Sequence, residues 1–385
     1  MRAAPSALVI KMQPYNSLNS SNMRMLAMMK GLYELGIEME LVTRELSAVS
    51  ERNDMSDYAF LEDVKIVSFS SNARYEQLVS SKSSWKQALL PIARKIYHRL
   101  SLYDNSLAIA NKASIDVLER REYDYVISVS DPKTSHVALR NLLNQGLKAK
   151  KIIQYWGDPL YGDVTQRALY PGFVLKREER KFLRLADKIV YTSPFTLENQ
   201  RRNYPEHADK MIVVPTANAS QKIYAPTQNE VFTVGYYGAY HSRVRNLLPL
   251  YEAFAKLQGV AKLNLVGDSD LALQPTANVM LRPRGVVKDL EEKTDLFVCV
   301  LNRAGTQIPG KAYHTAATNR PILVLVDGDE QEKMIEYLKT FDRFIIAQNN
   351  VDSICKAIQD AAQNPREWAP CPALAPKDVA AKIIE

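Results

Sequence analysis

The sequence predicts an α/β protein of two tandem Rossmann-like, doubly wound domains facing each other across a cleft. Three observations carry this. Short apolar runs of strand type alternate with amphipathic segments of helix type along the chain, an order that gives parallel sheets covered on both faces. The alternation is interrupted once, at Pro215–Gln228 (PTANASQKIYAPTQ), and then restarts. At 385 residues the chain is too long for one typical core and accommodates two.

In the first half, strands are expected at Ala7–Lys11, Glu38–Val42, Val64–Phe69, Tyr125–Val129, Lys151–Tyr155, Lys188–Tyr191 and Lys210–Val214. Helices fit between them at Ser21–Leu35, Leu107–Arg120, Ser135–Gln145 and Lys176–Leu185, where apolar residues recur at helical spacing. After the break, strands are expected at Phe232–Tyr237, Lys262–Val266, Val279–Arg282, Leu296–Leu301, Ile322–Val326 and Phe344–Ile346. Their helices are Leu247–Leu257, Val287–Lys293, Gln331–Lys339 and Val351–Ala362. The reading places a first domain at 1–218, a linker at 219–228 and a second domain at 229–365. A tail at 366–385, proline-rich and then helical at Lys377–Ile384, would return to the first domain.

Composition bounds the function. Hydrophobic residues make up 46% and charged residues 24%, ordinary values for a globular chain. No run approaches the roughly 20 apolar residues of a membrane span, and the N-terminus reads as a first strand rather than a secretory signal. Three cysteines without metal-ligand spacing point to a reducing, cytoplasmic setting. The net charge of +7 is moderate, and no nucleic-acid motif accompanies it, so a nucleic-acid partner is not expected. The charge is uneven, however. Lys82–Arg99 (KSSWKQALLPIARKIYHR) holds five Lys and Arg, no acid and several large apolar residues. It fits either an anionic membrane surface or a basic helix packed on its own domain.

Thr306–Val326 (TQIPGKAYHTAATNRPILVLV) condenses a Pro-Gly turn, a lysine, a short helix and a strand buried on both faces. A turn feeding a helix start presents free backbone N–H groups, and Lys311 adds a cation, a combination suited to phosphate. The bland alternative is an ordinary loop–helix–strand unit.

With these segments in place, the chain resembles the GT-B glycosyltransferases, above all the retaining family-four group. The similarity runs through Leu8-Val-Ile-Lys, Ser20-Ser-Asn-Met-Arg24, Leu35-Gly-Ile37 and Leu41-Val-Thr43. It continues through Glu179, Ala186-Asp-Lys-Ile-Val190 and Lys210-Met-Ile-Val-Val-Pro215 to Asn218. In the second half, Val234-Gly-Tyr-Tyr-Gly238, Arg243, Arg245-Asn246 and Leu263-Asn-Leu-Val-Gly267 are similar to that group's nucleotide-sugar half, with Ile308-Pro-Gly-Lys311 at its donor site.

The resemblance implies transfer of a sugar from a nucleotide-diphosphate donor to a glycan or polyprenyl-linked acceptor, with retention, in bacterial surface polysaccharide synthesis. It implies no metal and no cofactor, and a cytoplasmic enzyme peripheral on the inner face of the plasma membrane. Positive groups must then stabilise the leaving diphosphate, and Arg243, Arg245 and Lys311 are the candidates. Gly238, Pro309 and Gly310 would bring backbone close, Arg282 or Arg284 would approach the base, and His314 would meet the ribose. In the first domain, the resemblance sets His136 against the transferred sugar, and Asp158 would orient an acceptor hydroxyl. Ser20, Ser21, Asn22 and Asp131 complete the acceptor side. Solvated loop charges remain the alternative for the arginines, and a capping role for His136 and Asp158.

The chain departs from the pattern in three places. Glycine is scarce, at 14 residues, and Ser20-Ser21-Asn22 stand where relatives carry glycines. Thr306 and His314 occupy the family's paired glutamate positions, and Asn319 replaces a glycine. These departures keep two further readings open, a non-catalytic GT-B partner subunit and a sugar-nucleotide epimerase.

Overall fold

The computed structural model describes residues 4–17, 19–45, 55–70, 96–97, 99–163, 168–218, 221–304, 307–328 and 330–385. Most of the basic segment 82–99, and Thr306, lie outside the described residues. The chain divides into two units, Met1–Ala219 with Pro376–Glu385, and Ser220–Ala375.

The first unit holds a seven-stranded sheet in the order β3-β2-β1-β4-β5-β6-β7. Its strands are β1 (Ser6–Lys11), β2 (Glu38–Arg44), β3 (Lys65–Phe69), β4 (Glu122–Val129), β5 (Lys148–Trp156), β6 (Lys188–Tyr191) and β7 (Met211–Val213). Every pairing is parallel. Both faces are covered, which is why β1 reads as an unbroken apolar run: Leu8 and Ile10 join one core and Ala7 and Val9 the other. The helices are α1 (Ser20–Glu34), α2 (Leu107–Ala110), α3 (Thr134–Asn144), α4 (Gly172–Leu183) and α5 (Pro194–Asn203).

Helix α1 starts where the Asn19 side chain accepts from the Asn22 N–H at 2.9 Å, and it stops at Gly36, whose φ of 75° suits glycine. The last helix of the chain, Pro376–Ile384, packs on α1 in this unit. Gly31 makes that packing possible, because a Cβ there would strike the Pro376 carbonyl and lie 2.7 Å from Ala380 Cβ.

The second unit repeats the plan with six strands in the order β10-β9-β8-β11-β12-β13. These are β8 (Phe232–Tyr237), β9 (Ala261–Val266), β10 (Val279–Arg282), β11 (Leu296–Val300), β12 (Ile322–Val326) and β13 (Ile345–Gln348), again all parallel. Helices α6 (Leu248–Lys256), α7 (Lys288–Glu292), α8 (Gly310–Thr315), α9 (Gln331–Lys339) and α10 (Val351–Gln363) connect them, and the terminal helix is α11. Among the described residues, no helix is long and apolar enough to cross a membrane.

Two elements differ from expectation. The helix expected at Leu107–Arg120 ends at Ala110, because α3 takes over its carbonyls: Asn141 donates to Ala110 O at 3.1 Å and Gln145 to Ala113 O at 2.8 Å. Helix α5 was not foreseen. It opens on the Ser193-Pro194 signal but is too polar to show an apolar stripe.

Candidate functional site

Open parallel sheets take ligands at the carboxyl ends of their strands, where the strand order reverses. That point lies between β1 and β4 in the first unit and between β8 and β11 in the second. Each gathers charged side chains.

In the first unit, β1 ends in Lys11, a lysine with no exposed surface. It donates to Ser21 Oγ and to the Asp131 carbonyl, and Ser21 Oγ donates to the same carbonyl at 2.5 Å. One turn along α1, Arg24 donates to the Ser130 carbonyl and lies 5.2 Å from the centre of the Tyr155 ring. Gly157 leaves room for that guanidinium, since any Cβ there would occupy its place. Lys133 pairs with the Asp131 carboxylate and stands 3.7 Å from Asp163.

Burial, and then Arg24, push the Lys11 ammonium well below its usual range. Burial works against the charged form of Asp131, yet Lys133 and Arg24 carry its carboxyl below the ordinary value. Asp158 goes the other way. Burial and the neighbouring Asp131 push it up to about 7, with Lys133 opposing. Two acids in one field are thus split into a carboxylate and a group that exchanges protons near neutrality.

The loop carrying Asp158 and Asp163 is fixed from beneath by Glu179 of α4. This fully buried carboxylate accepts from the Leu160 N–H at 3.1 Å, the Tyr161 N–H at 2.9 Å and the Tyr204 hydroxyl at 2.7 Å.

Two expected residues lie elsewhere. His136 has no exposed surface; its ring sits 4.0 Å from Trp156 and its Nδ1 lies 2.8 Å from Ser128 Oγ. Burial, and then Lys133, lower it to about 3. It is a neutral core histidine under the site rather than a group facing a sugar. Asn22 is also buried, and it donates to Pro14 O at 2.5 Å and Ser17 O at 3.0 Å, so it fastens the β1–α1 loop. Ser20 is exposed at the first residue of α1. Lys11, Arg24, Lys133 and Asp163 were missed by sequence reading. In the sequence Lys11 reads as a strand end and Arg24 as part of a motif; neither shows a partner until the strands are placed side by side.

In the second unit, β8 runs into Gly238, and the Lys311 side chain crosses it: a Cβ on Gly238 would lie 2.7 Å from Lys311 Cε. Gly267 makes the same corner tight, its own missing Cβ leaving space for the Gly238 carbonyl. Crowding by surrounding protein, reinforced by Arg245 and Arg284 and opposed by Glu291, lowers the Lys311 ammonium to about 8. The side chain still reaches solvent.

The two arginines divide. Arg245 is committed to the protein, donating to the Ala239 carbonyl at 3.0 Å and to Asn302 Oδ1 at 3.1 Å, which ties the ends of β8 and β11 together. Arg243 is exposed, with no partner among the described residues. Pro309 caps α8, and Gly310 and Lys311 are its first residues. The helix has only six residues, so its dipole is short and Lys311 is the stronger attraction for an anion. His314 is half-buried one turn beyond Lys311. Arg282 is exposed at the end of β10, 4.0 Å from Asp289.

A groove of about 710 Å³ also opens in the first unit, lined by Tyr33, Glu38, Glu40, Lys65, Arg120 and Tyr123. It lies at the amino ends of the strands, and its charges are paired with one another, Glu40 with Lys65 and Glu38 with Arg120. The strand carboxyl ends therefore remain the better candidates.

No protein-family model matches the chain, and comparison with curated proteins finds no match. Solved structures do. Anabaena HepE, crystallised in complex with UDP, superposes with a TM-score of 0.56 at 11% identity, over 99% of this chain and 96% of that one. A glycosyltransferase from Rickettsia africae gives 0.52 at 14%, over 100% and 94%. A putative UDP-N-acetylglucosamine 2-epimerase from Listeria monocytogenes gives 0.52 at 14%, over 100% and 95%. At these identities the likeness establishes the fold: the chain has the two-domain α/β architecture of GT-B proteins.

Proposed function

We propose that this protein is a glycosyltransferase using a nucleotide-diphosphate sugar. The observation that carries the reading is the β8/β11 switch point, where Lys311 crosses Gly238 within electrostatic reach of Arg245 and Arg284. A diphosphate leaving group gathers negative charge as its bond to the sugar breaks, and cations fixed at that spot favour the transition state. UDP is the first nucleotide to try, because HepE was crystallised with it. In the first unit, Asp131 and Asp158 would receive an acceptor hydroxyl. The acceptor is a glycan or lipid-linked oligosaccharide of a bacterial surface polysaccharide, and transfer is of a hexosyl group with retention. The leaving phosphate accepts the acceptor's proton on the same sugar face. The basic segment Lys82–Arg99 would hold the enzyme to the inner leaflet.

The test is incubation with a panel of nucleotide sugars and lipid-linked acceptors, following release of free nucleotide. A folded protein that neither binds nor turns over any of them overturns the reading. A second reading, sugar-nucleotide epimerisation, draws on one observation. Asp158, near neutrality beside ionised Asp131, suits proton transfer to and from carbon. Conversion of a nucleotide sugar to its isomer without an acceptor would favour it; strict dependence on an acceptor excludes it.

A further inference from the structure

Asp158 sits on a short span of loop that is tied down at both ends. Ahead of it, the Gly157 N–H donates to Ser130 Oγ at 3.2 Å, which joins this loop to the one carrying Asp131. Behind it, Glu179 takes two successive amides: Oε1 accepts from the Leu160 N–H at 3.1 Å and Oε2 from the Tyr161 N–H at 2.9 Å. Gln200 Nε2 donates to the Tyr161 carbonyl at 3.2 Å, and Lys176 Nζ lies 4.5 Å from the centre of the Tyr161 ring. Gly172 lets that ring rest on the start of α4, since a Cβ there would lie 3.0 Å from Tyr161 Cε2. Between the two ties, Pro159 stiffens the span by fixing its own φ.

We propose that Glu179 is a positioning residue for the site: it has no exposed surface to offer a ligand, and through the Leu160 and Tyr161 amides it fixes where the Asp158 carboxyl stands. The role needs a carboxylate, because donors arrive at both oxygens, the Tyr204 hydroxyl joining the Tyr161 N–H at Oε2 from 2.7 Å. An amide of the same size cannot replace it. Whichever way a glutamine is turned, its NH2 group confronts either the Leu160 N–H or the Tyr161 N–H, and that amide loses its acceptor. After burial, the charges acting on Asp158 are Asp131, Lys133, Asp163 and Arg24. Glu179 acts on Asp158 through the backbone instead, by keeping it where burial and those charges apply.

Glu179→Gln is compared with Tyr204→Phe, which removes one bond to the same carboxylate and leaves both amides held. Two measurements need no substrate. One is hydrogen exchange at the Leu160 and Tyr161 amides; the other is titration of the Asp158 carboxyl by NMR of labelled aspartate, assigned with Asp158→Asn. In Glu179→Gln, exchange at one of the two amides should quicken about tenfold or more. Asp158 should then titrate lower, from about 7 toward the ordinary 3.8, as the loosened loop admits water. Tyr204→Phe should lower the melting temperature yet keep both properties as in the parent. One further consequence rests on the glycosyltransferase reading: kcat of Glu179→Gln should fall about tenfold or more with KM for the nucleotide sugar unchanged. The pH profile of kcat should move with the Asp158 titration.

An unchanged Asp158 titration in folded Glu179→Gln protein overturns the proposal. So do changes in Tyr204→Phe as large as those in Glu179→Gln, which would mark general loosening of the fold. If Glu179→Gln does not fold, the parent decides: slow exchange at Leu160 and Tyr161 supports the proposal, and exchange as fast as in exposed loops overturns it. Absence of nucleotide release in the parent, with exchange and titration as expected, counts against the functional reading alone.

Discussion

Lys311 and Gly238 act as a pair. The glycine is kept free of a side chain so that the lysine can lie across the strand end. Gly238→Ala should leave the fold intact, since the atom it meets belongs to a flexible side chain, but it should push Lys311 aside. Both Gly238→Ala and Lys311→Ala are expected to reduce the thermal stabilisation given by saturating UDP, by about 1–2 kcal/mol for the loss of one charge-assisted contact. In the parent protein the UDP shift should fade as pH rises through about 8, where Lys311 gives up its proton. A pH-independent shift, or one untouched by Lys311→Ala, would move the anion site elsewhere.

Asp158 gives a second test. Its carboxyl titrates at about 7 in the folded chain against an ordinary 3.8. The folded state therefore holds this proton more tightly than the unfolded state. Its contribution is full at low pH, declines as pH rises from about 4 to about 7, and is constant above. Asp158→Asn removes that decline, so the variant should gain stability relative to the parent across this window. Melting temperatures at a series of pH values check it, and a flat difference would show that the carboxyl is not raised.

At the scale of the element, the α1–α11 contact is decided by one missing methyl. Gly31 sits inside α1, where glycine is a poor helix former, yet a Cβ there would strike the backbone of Pro376. Backbone cannot step aside as a lysine tip can. Gly31→Ala should therefore destabilise the protein by about 1–3 kcal/mol despite its better helix propensity; urea denaturation would measure it. A neutral or stabilising result would mean that α11 is free to shift. The same elements show what was legible in advance. Among the described residues, all thirteen strands announce themselves as apolar runs. Helix α5 does not, because it is polar, and Leu107–Arg120 looks longer than it is because Asn141 and Gln145 intervene from another segment.

For the whole molecule, the terminal ten residues belong to the first unit although they follow the second in sequence. Val379, Ala380 and Ile383 have no exposed surface. Deleting 376–385 should expose the matching face of α1 and cost the first unit about 4 kcal/mol. The second unit, which contains none of these residues, should keep its own transition. Calorimetry of the truncated chain would show one transition lowered; equal lowering of both would mean that the units unfold together.

The sequence by itself determined the alternation of strands and helices, the fold class and the cationic corner around Gly238 and Lys311, because each is written in neighbouring residues and in periodicity. The tertiary structure decided the rest. It committed Arg245 to a carbonyl and left Arg243 open. It placed His136 beneath the site, stacked on Trp156, and brought Lys11, Arg24, Lys133 and Asp163 around Asp131. Those charges come from one strand end, one helix and two loops, and their protonation follows from burial and from one another. No local pattern records such a field; it arises only when parallel strands bring their carboxyl ends together.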